Sequence, residues 1–204
     1  GESGGSGGST SEPGPGGAGP IVLGPTDPGP TAVRRLTNDE YRNTLQDLLK
    51  LPAPPSDPLM PDPPTLGYDN FPTSISSTLA SQYAAMATRL AAEANVTALA
   101  PCASAGMEST CANKFISDFG KRAHRRPLTS TDTEAYRALF DLARMTGTYA
   151  DGIKLVTEVI LQSPYLLYRV EYGTSGARRT LTPHEVASEL SYLFTLLMPD
   201  ADLM

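Results

Sequence analysis

The chain has 204 residues, of which 22 are acidic and 16 basic, giving a net charge of −6 at neutral pH. That balance disfavours long-range attraction of a polyanion, so no nucleic-acid partner is expected. No run approaches the roughly 20 apolar residues needed to cross a bilayer, the longest being interrupted by Lys154, Glu158 and Pro164; membrane contact would require an upstream anchor.

Residues 1–31 are mostly Gly, Ser and Pro around one apolar patch, Ile21-Val22-Leu23. This composition buries too little area to offset chain entropy and predicts a disordered tether. Such a tether commonly follows a signal peptide or a lipid-modified Cys in secreted bacterial proteins; a plain interdomain linker is the alternative. The first helix opens at Thr37, whose hydroxyl can cap it while Glu40 returns a bond to the Thr37 backbone. Tyr41, Leu45, Leu48 and Leu49 continue at helical spacing, and Pro52, Pro54 and Pro55 stop it. A Pro-rich loop runs through Pro72, and its Gly67-Tyr68-Asp69-Asn70-Phe71 stretch reads as a turn whose aromatics plug the core.

The second helix is expected from about Ser76 to Ala94, with Leu79, Tyr83, Met86 and Leu90 on one stripe. Cys102 and Cys111 then flank a small polar loop with no other soft metal ligand nearby, so a disulfide is the economical reading. It is the chemistry of an oxidising compartment. Phe115, Ile116 and Phe119 mark a third helix ending near Ala123. Tyr136, Leu139, Phe140 and Ala143 mark a fourth; Ile153, Val156, Val159 and Ile160 mark a fifth. Leu181-Thr182-Pro183-His184-Glu185 starts a sixth, with Pro at its first helical position, and Val186, Leu190 and Leu193 continue it. Strand alternation is nowhere sustained, so the fold class is all-α, a multi-helix globular module behind the leader. Its division is residues 32–100, residues 101–172 with the Cys pair, and residues 173–204 as the start of a further helical domain. Leu36-Thr37, Leu128-Thr129 and Leu181-Thr182 share one helix-start chemistry, and their unequal spacing argues against a solenoid.

Five ordered blocks carry a family resemblance: residues 34–44 (RRLTNDEYRNT), 67–70 (GYDN), 119–129 (FGKRAHRRPLT), 163–171 (SPYLLYRVE) and 181–192 (LTPHEVASELSY). They resemble the amino-terminal portion of the large planctomycete-type cytochrome-associated proteins, also abundant in myxobacteria. The resemblance implies exported multi-domain proteins in which domains of unknown function precede a C-x-x-C-H haem motif. This chain departs from that pattern at His124 and His184, where the family commonly has an aromatic, at Glu189, where it has Arg, and near Thr195, where it has Trp.

The densest charge is the cluster Lys121, Arg122, Arg125 and Arg126 with His124. Arg and Lys at a helix C-terminus complement its exposed carbonyls, which is the structural reading. Anion binding or interdomain docking through Arg122, His124, Arg125 and Arg126 is the functional one. Both histidines read as surface residues, since neither sits in a constellation with Ser, Cys or carboxylate. Ser163-Pro164 reads as a helix stop, with Tyr165, Tyr168, Arg169 and Glu171 as a packing or pairing knot and ligand contact as the alternative.

No complete catalytic site is spelled out, and the catalytic residues are unknown. No cofactor or metal is expected within this segment, and haem c would belong to a downstream part, because covalent attachment needs C-x-x-C-H spacing that Cys102 and Cys111 lack. The leading expectation is therefore an accessory or recognition module of an exported c-type cytochrome-like protein, periplasmic or at the cell surface. Its partners would be downstream domains of the same polypeptide or another exported protein. A surface-binding or scaffold module without redox duty is the alternative, and a hydrolase comes after it.

Overall fold

The structure, a computed structural model, describes residues 33–62, 75–102, 104–174 and 180–204, and the backbone of residues 64–65 and 68–69. The leader and the aromatic side chains of the 67–71 turn lie outside the described residues. Among the described residues the chain is mostly helical. It runs β1 (Arg34–Arg35), α1 (Asn38–Leu49), β2 (Pro64–Thr65), β3 (Tyr68–Asp69), α2 (Ser77–Glu93), α3 (Val96–Leu99), α4 (Glu108–His124), α5 (Ser130–Arg144), α6 (Tyr149–Leu161), α7 (Pro164–Leu167), β4 (Tyr168–Arg169) and α8 (Pro183–Thr195).

Helix starts follow the capping chemistry. Thr37 with Glu40, Thr129 with Asp132 and Thr182 with Glu185 each form a complete capping box. Thr148 with Asp151 forms a fourth, which opens α6. In each, the hydroxyl accepts from the backbone three residues on and the carboxylate accepts from the Thr amide, so two otherwise orphaned donors are satisfied together. Ser76 caps α2, and Ser163 both follows the end of α6 and caps the four-residue α7, with Pro164 at its first position. The helix stop expected at Ser163-Pro164 is thus also a helix start.

One apolar core runs through the helices. Tyr41, Leu45 and Leu48 from α1 are fully buried with Tyr83 and Met86 of α2, Phe115 and Ile116 of α4, and Ile153, Val156 and Ile160 of α6. Helices α5 and α6 approach closely because Gly152 carries no side chain: a Cβ there would meet the Phe140 ring at 2.6 Å. Strands are few and short. Strand β1 pairs antiparallel with β4, Arg34 opposite Arg169 and Arg35 opposite Tyr168, and the Leu36 amide continues the pairing by donating to the Leu167 carbonyl at 2.8 Å. Beside it the buried Arg35 forms a 2.6 Å ion pair with Asp62, whose other oxygen accepts from the Asn38 amide at the start of α1. A carboxylate at a helix N-terminus is favoured by the exposed amides there.

The last helix forms where expected but buries a face other than the one its large apolar residues mark. Val186, Leu190 and Leu193 are 41%, 49% and 71% exposed, so they form no core stripe, and the buried face of α8 is Ala187, Ser188, Ser191 and Tyr192. The surface under α8 explains this. It presents the guanidiniums of Arg125 and Arg169, each within 5.6 Å of the Tyr192 ring, and the Thr44 hydroxyl, 2.8 Å from the Tyr192 hydroxyl. An aromatic with a polar tip, flanked by Ala and Ser, meets those charges at close range, which branched aliphatics do not.

Cys102 and Cys111 are bonded, with Cα atoms 5.6 Å apart, and the link ties the segment after α3 to the first turn of α4. Thiol labelling of the unreduced folded protein should find no free thiol. A Cys102→Ser/Cys111→Ser double variant should lose about 2–3 kcal/mol of unfolding free energy, the chain entropy a loop of this size confers. Quantitative labelling of both cysteines in the native protein would contradict the pairing.

Candidate functional site

The C-terminal turn of α4, the segment from α7 past β4, and the first half of α8 enclose a cleft of about 480 Å³, within the size range of small-molecule and side-chain sites. Helix α4 ends in a left-handed residue, Arg125, at φ 55°. Its amide bonds the Arg122 carbonyl while the Arg126 amide bonds the Lys121 carbonyl, which closes the helix without glycine. That turn points the Arg125 side chain back across the chain. The residue is 5% exposed, and its guanidinium donates to the carbonyls of Leu166 at 3.2 Å, Tyr165 at 2.8 Å and Tyr168 at 2.7 Å. A planar fork satisfies several fixed acceptors at once, and carbonyls at the end of a four-residue helix have few other donors.

Around this fork the neighbouring side chains pair. Arg126 bonds Asp132 at 2.9 Å and lies 4.5 Å from the centre of the Tyr165 ring. The His124 ring packs on Tyr165 at 4.8 Å, and its Nε2 is 2.8 Å from the Tyr136 hydroxyl. His124 is therefore buried, not on the surface as its sequence context implied; its partner is a phenol rather than Ser, Cys or carboxylate. Burial, reinforced by Arg126, lowers its pKa to about 4, so it is neutral under ordinary conditions. Arg122 turns elsewhere, bonding Asp47 of α1 at 2.9 Å. Of the four residues singled out as a docking cluster, His124, Arg125 and Arg126 line the cleft, and His184 joins them half-buried.

The opposite wall comes from residues read as a packing knot or a helix start. Arg169 sits between two carboxylates, 3.8 Å from Glu40 and 3.5 Å from Glu189. Burial raises the Glu189 pKa, with Arg169 opposing the rise and Glu171 adding to it. Glu185 is committed to structure, accepting from the amides of Thr182, Tyr172 and Gly173. Of the six buried side-chain nitrogen or oxygen atoms without a hydrogen-bond partner among the described residues, three belong to this cleft: His124 Nδ1, Arg169 Nε and Ser188 Oγ. A buried polar atom of this kind is satisfied by water or by a ligand. The sequence did carry a signal for this wall: helical spacing places His184 and Ser188, and Glu185 and Glu189, on one face of α8. What it did not show was that this face turns inward.

Among the described residues no group of three or more His, Cys, Asp or Glu is placed to hold a metal ion, and no helix is long and apolar enough to cross a membrane. Residues 34–96 match PSD3, a protein of unknown function (DUF1587), and residues 111–171 match PSD5, a protein of unknown function (DUF1595). No curated protein and no solved structure matches the chain. The first match begins at β1 and the second ends just past β4, so the two similar segments are joined by the β1–β4 pairing and share one core.

Histidine 124 makes stability depend on acid. Its native pKa of about 4 lies below the ordinary 6.5, so between those values the unfolded chain takes up a proton that the folded chain refuses. The stability that its neutral burial represents is complete above pH 6.5 and is lost as pH falls through 4. Over that window the wild type should lose roughly 3 kcal/mol more than a His124→Phe variant in denaturant titrations. Parallel pH profiles for the two would show that the ring titrates normally in the folded protein.

Proposed function

We propose that this chain is the recognition module of an exported c-type cytochrome-like protein, and that it presents the α4–α7–α8 cleft to downstream domains of the same polypeptide or to another exported protein. The observation that carries this reading is the ordered pair of matches to families of unknown function, over residues 34–96 and 111–171, in the order that the sequence resemblance implies. The Cys102–Cys111 disulfide supports export, because structural disulfides persist in oxidising compartments. The cleft supports recognition over a purely structural role, since it gathers charged and aromatic side chains with unpartnered polar atoms in one concavity.

A surface-binding module without redox duty uses the same cleft and differs only in what the rest of the polypeptide carries. The two are separated by absorbance after expression in a host that matures c-type cytochromes. The 204-residue chain should emerge without a haem spectrum, and the full product of its natural reading frame should carry covalent haem through a C-x-x-C-H motif. A Soret band from the 204-residue chain would refute this division of roles. A complete product lacking haem would transfer the assignment to the surface-binding reading.

A further inference from the structure

We propose that the outward face of α8 is a helix-docking seam, covered in the complete polypeptide by the helix that opens at Asp200. The inference goes beyond the recognition reading and shares with it only a polypeptide that continues past Met204. It begins with apolar exposure. Seven of the thirteen large apolar side chains exposed among the described residues fall within residues 186–203, so the exposure is concentrated in one short segment. A contiguous apolar patch marks a contact surface, where scattered single residues do not.

The pattern is that of one helix face. Val186, Leu190 and Leu193 are spaced four and then three residues apart, the spacing of a two-helix seam, and Phe194 stands beside them at 78% exposure. The module buries the opposite face, Ala187, Ser188, Ser191 and Tyr192. A helix between two layers presents a contact face to each. Helix α8 turns its larger apolar side chains to the side left open among the described residues.

The residues after α8 indicate what covers it. Leu196 closes the helix in the left-handed conformation at φ 56°. The Ser191 hydroxyl donates to the Leu197 carbonyl at 3.0 Å and Met198 is buried, so the turn is held on the module. Pro199 leads into Asp200, whose carboxylate accepts from the amides of Asp202 at 3.1 Å and Leu203 at 3.0 Å, while its carbonyl accepts from the Met204 amide at 3.2 Å. These are the bonds of an N-cap and a first helical turn. The connection between the two helices, residues 196–200, has the length that joins antiparallel neighbours in helical hairpins. A helix started there lies alongside α8, and with the inner face taken by the module, the outer seam is the apolar face left for it.

The test places one reactive thiol on the seam. The native cysteines are bonded to each other, so a Leu193→Cys variant carries a single free thiol, and its maleimide labelling rate is compared in the 204-residue chain and in the full product of the natural reading frame. The full product should label at least about tenfold more slowly at every protein concentration, since a packed side chain is reached only through local opening. Leu142→Cys, an exposed position on α5, should label at one rate in both. Leu190→Cys, on the same seam, gives the second reading should Leu193→Cys keep the full product from folding. Fast labelling of the seam in the full product would overturn the proposal, and so would equal slowing at position 142. Protection that disappears on dilution would overturn it in favour of a second copy, and protection that appears only with phosphatidylglycerol vesicles would overturn it in favour of a lipid surface. A full product that carries haem while its seam stays reactive would leave the recognition reading standing and remove only this one.

Discussion

The Arg125 guanidinium holds the carbonyls of Tyr165, Leu166 and Tyr168 while its own backbone terminates α4. Everything around the cleft depends on that fork. It fixes where α7 ends and β4 begins, and β4 in turn pairs with β1 to fasten the start of the described chain to residues more than a hundred positions later. It also lies against the ring of Tyr192, whose hydroxyl reaches Thr44 of α1, so α8 docks on a charged surface. Hydrogen bonds from a charged donor are worth about 1.5–3 kcal/mol each in buried settings, which makes one side chain comparable to a sizeable share of a small domain's net stability.

The same constraint gives the cleft its character. Because Arg125 faces carbonyls and Arg126 is tied to Asp132, the basic cluster that dominates the sequence contributes little free positive charge to the concavity. The facing wall sets Arg169 among Glu171, Glu185 and Glu189. Tyr165 serves both roles, supplying its carbonyl to Arg125 and its ring to His124 and Arg126. A change at Tyr165 would therefore disturb the stability of the turn together with the shape of the site.

Much of the helical order was legible because it is local. Thr37, Thr129 and Thr182 announce their helices through the carboxylate three positions on, and the disulfide follows from there being two cysteines in a short span. Thr148 with Asp151 uses the same chemistry without a Leu before the Thr, so its start signal is weaker in the sequence. What the sequence could not show was long-range. The orientation of α8 is not legible from Val186, Leu190 and Leu193, which have the spacing of a core stripe yet stay exposed. Only the arrival of Arg125 and Arg169 beneath the helix makes Tyr192 and its small neighbours the better face to bury. His124 was misplaced for a similar reason: its phenol partner, Tyr136, lies on the next helix, and its stacking partner, Tyr165, lies forty-one positions away. The cleft itself is assembled from three segments, each of which has a sufficient structural explanation when read alone.

Native-state hydrogen exchange on the wild type and an Arg125→Lys variant tests most directly whether this fork organises the site. Lysine keeps the charge but offers a single flexible ammonium in place of a planar fork. The amide of Leu36, which donates to Leu167 across the strand pairing, should lose protection in the variant together with those of Leu166 and Leu167, while amides inside α5 and α6 keep theirs. Unchanged exchange at Leu36, or an equal loss throughout the core, would contradict the account, because the fork would then be one contact among many instead of the contact that holds the strand pair and the cleft together.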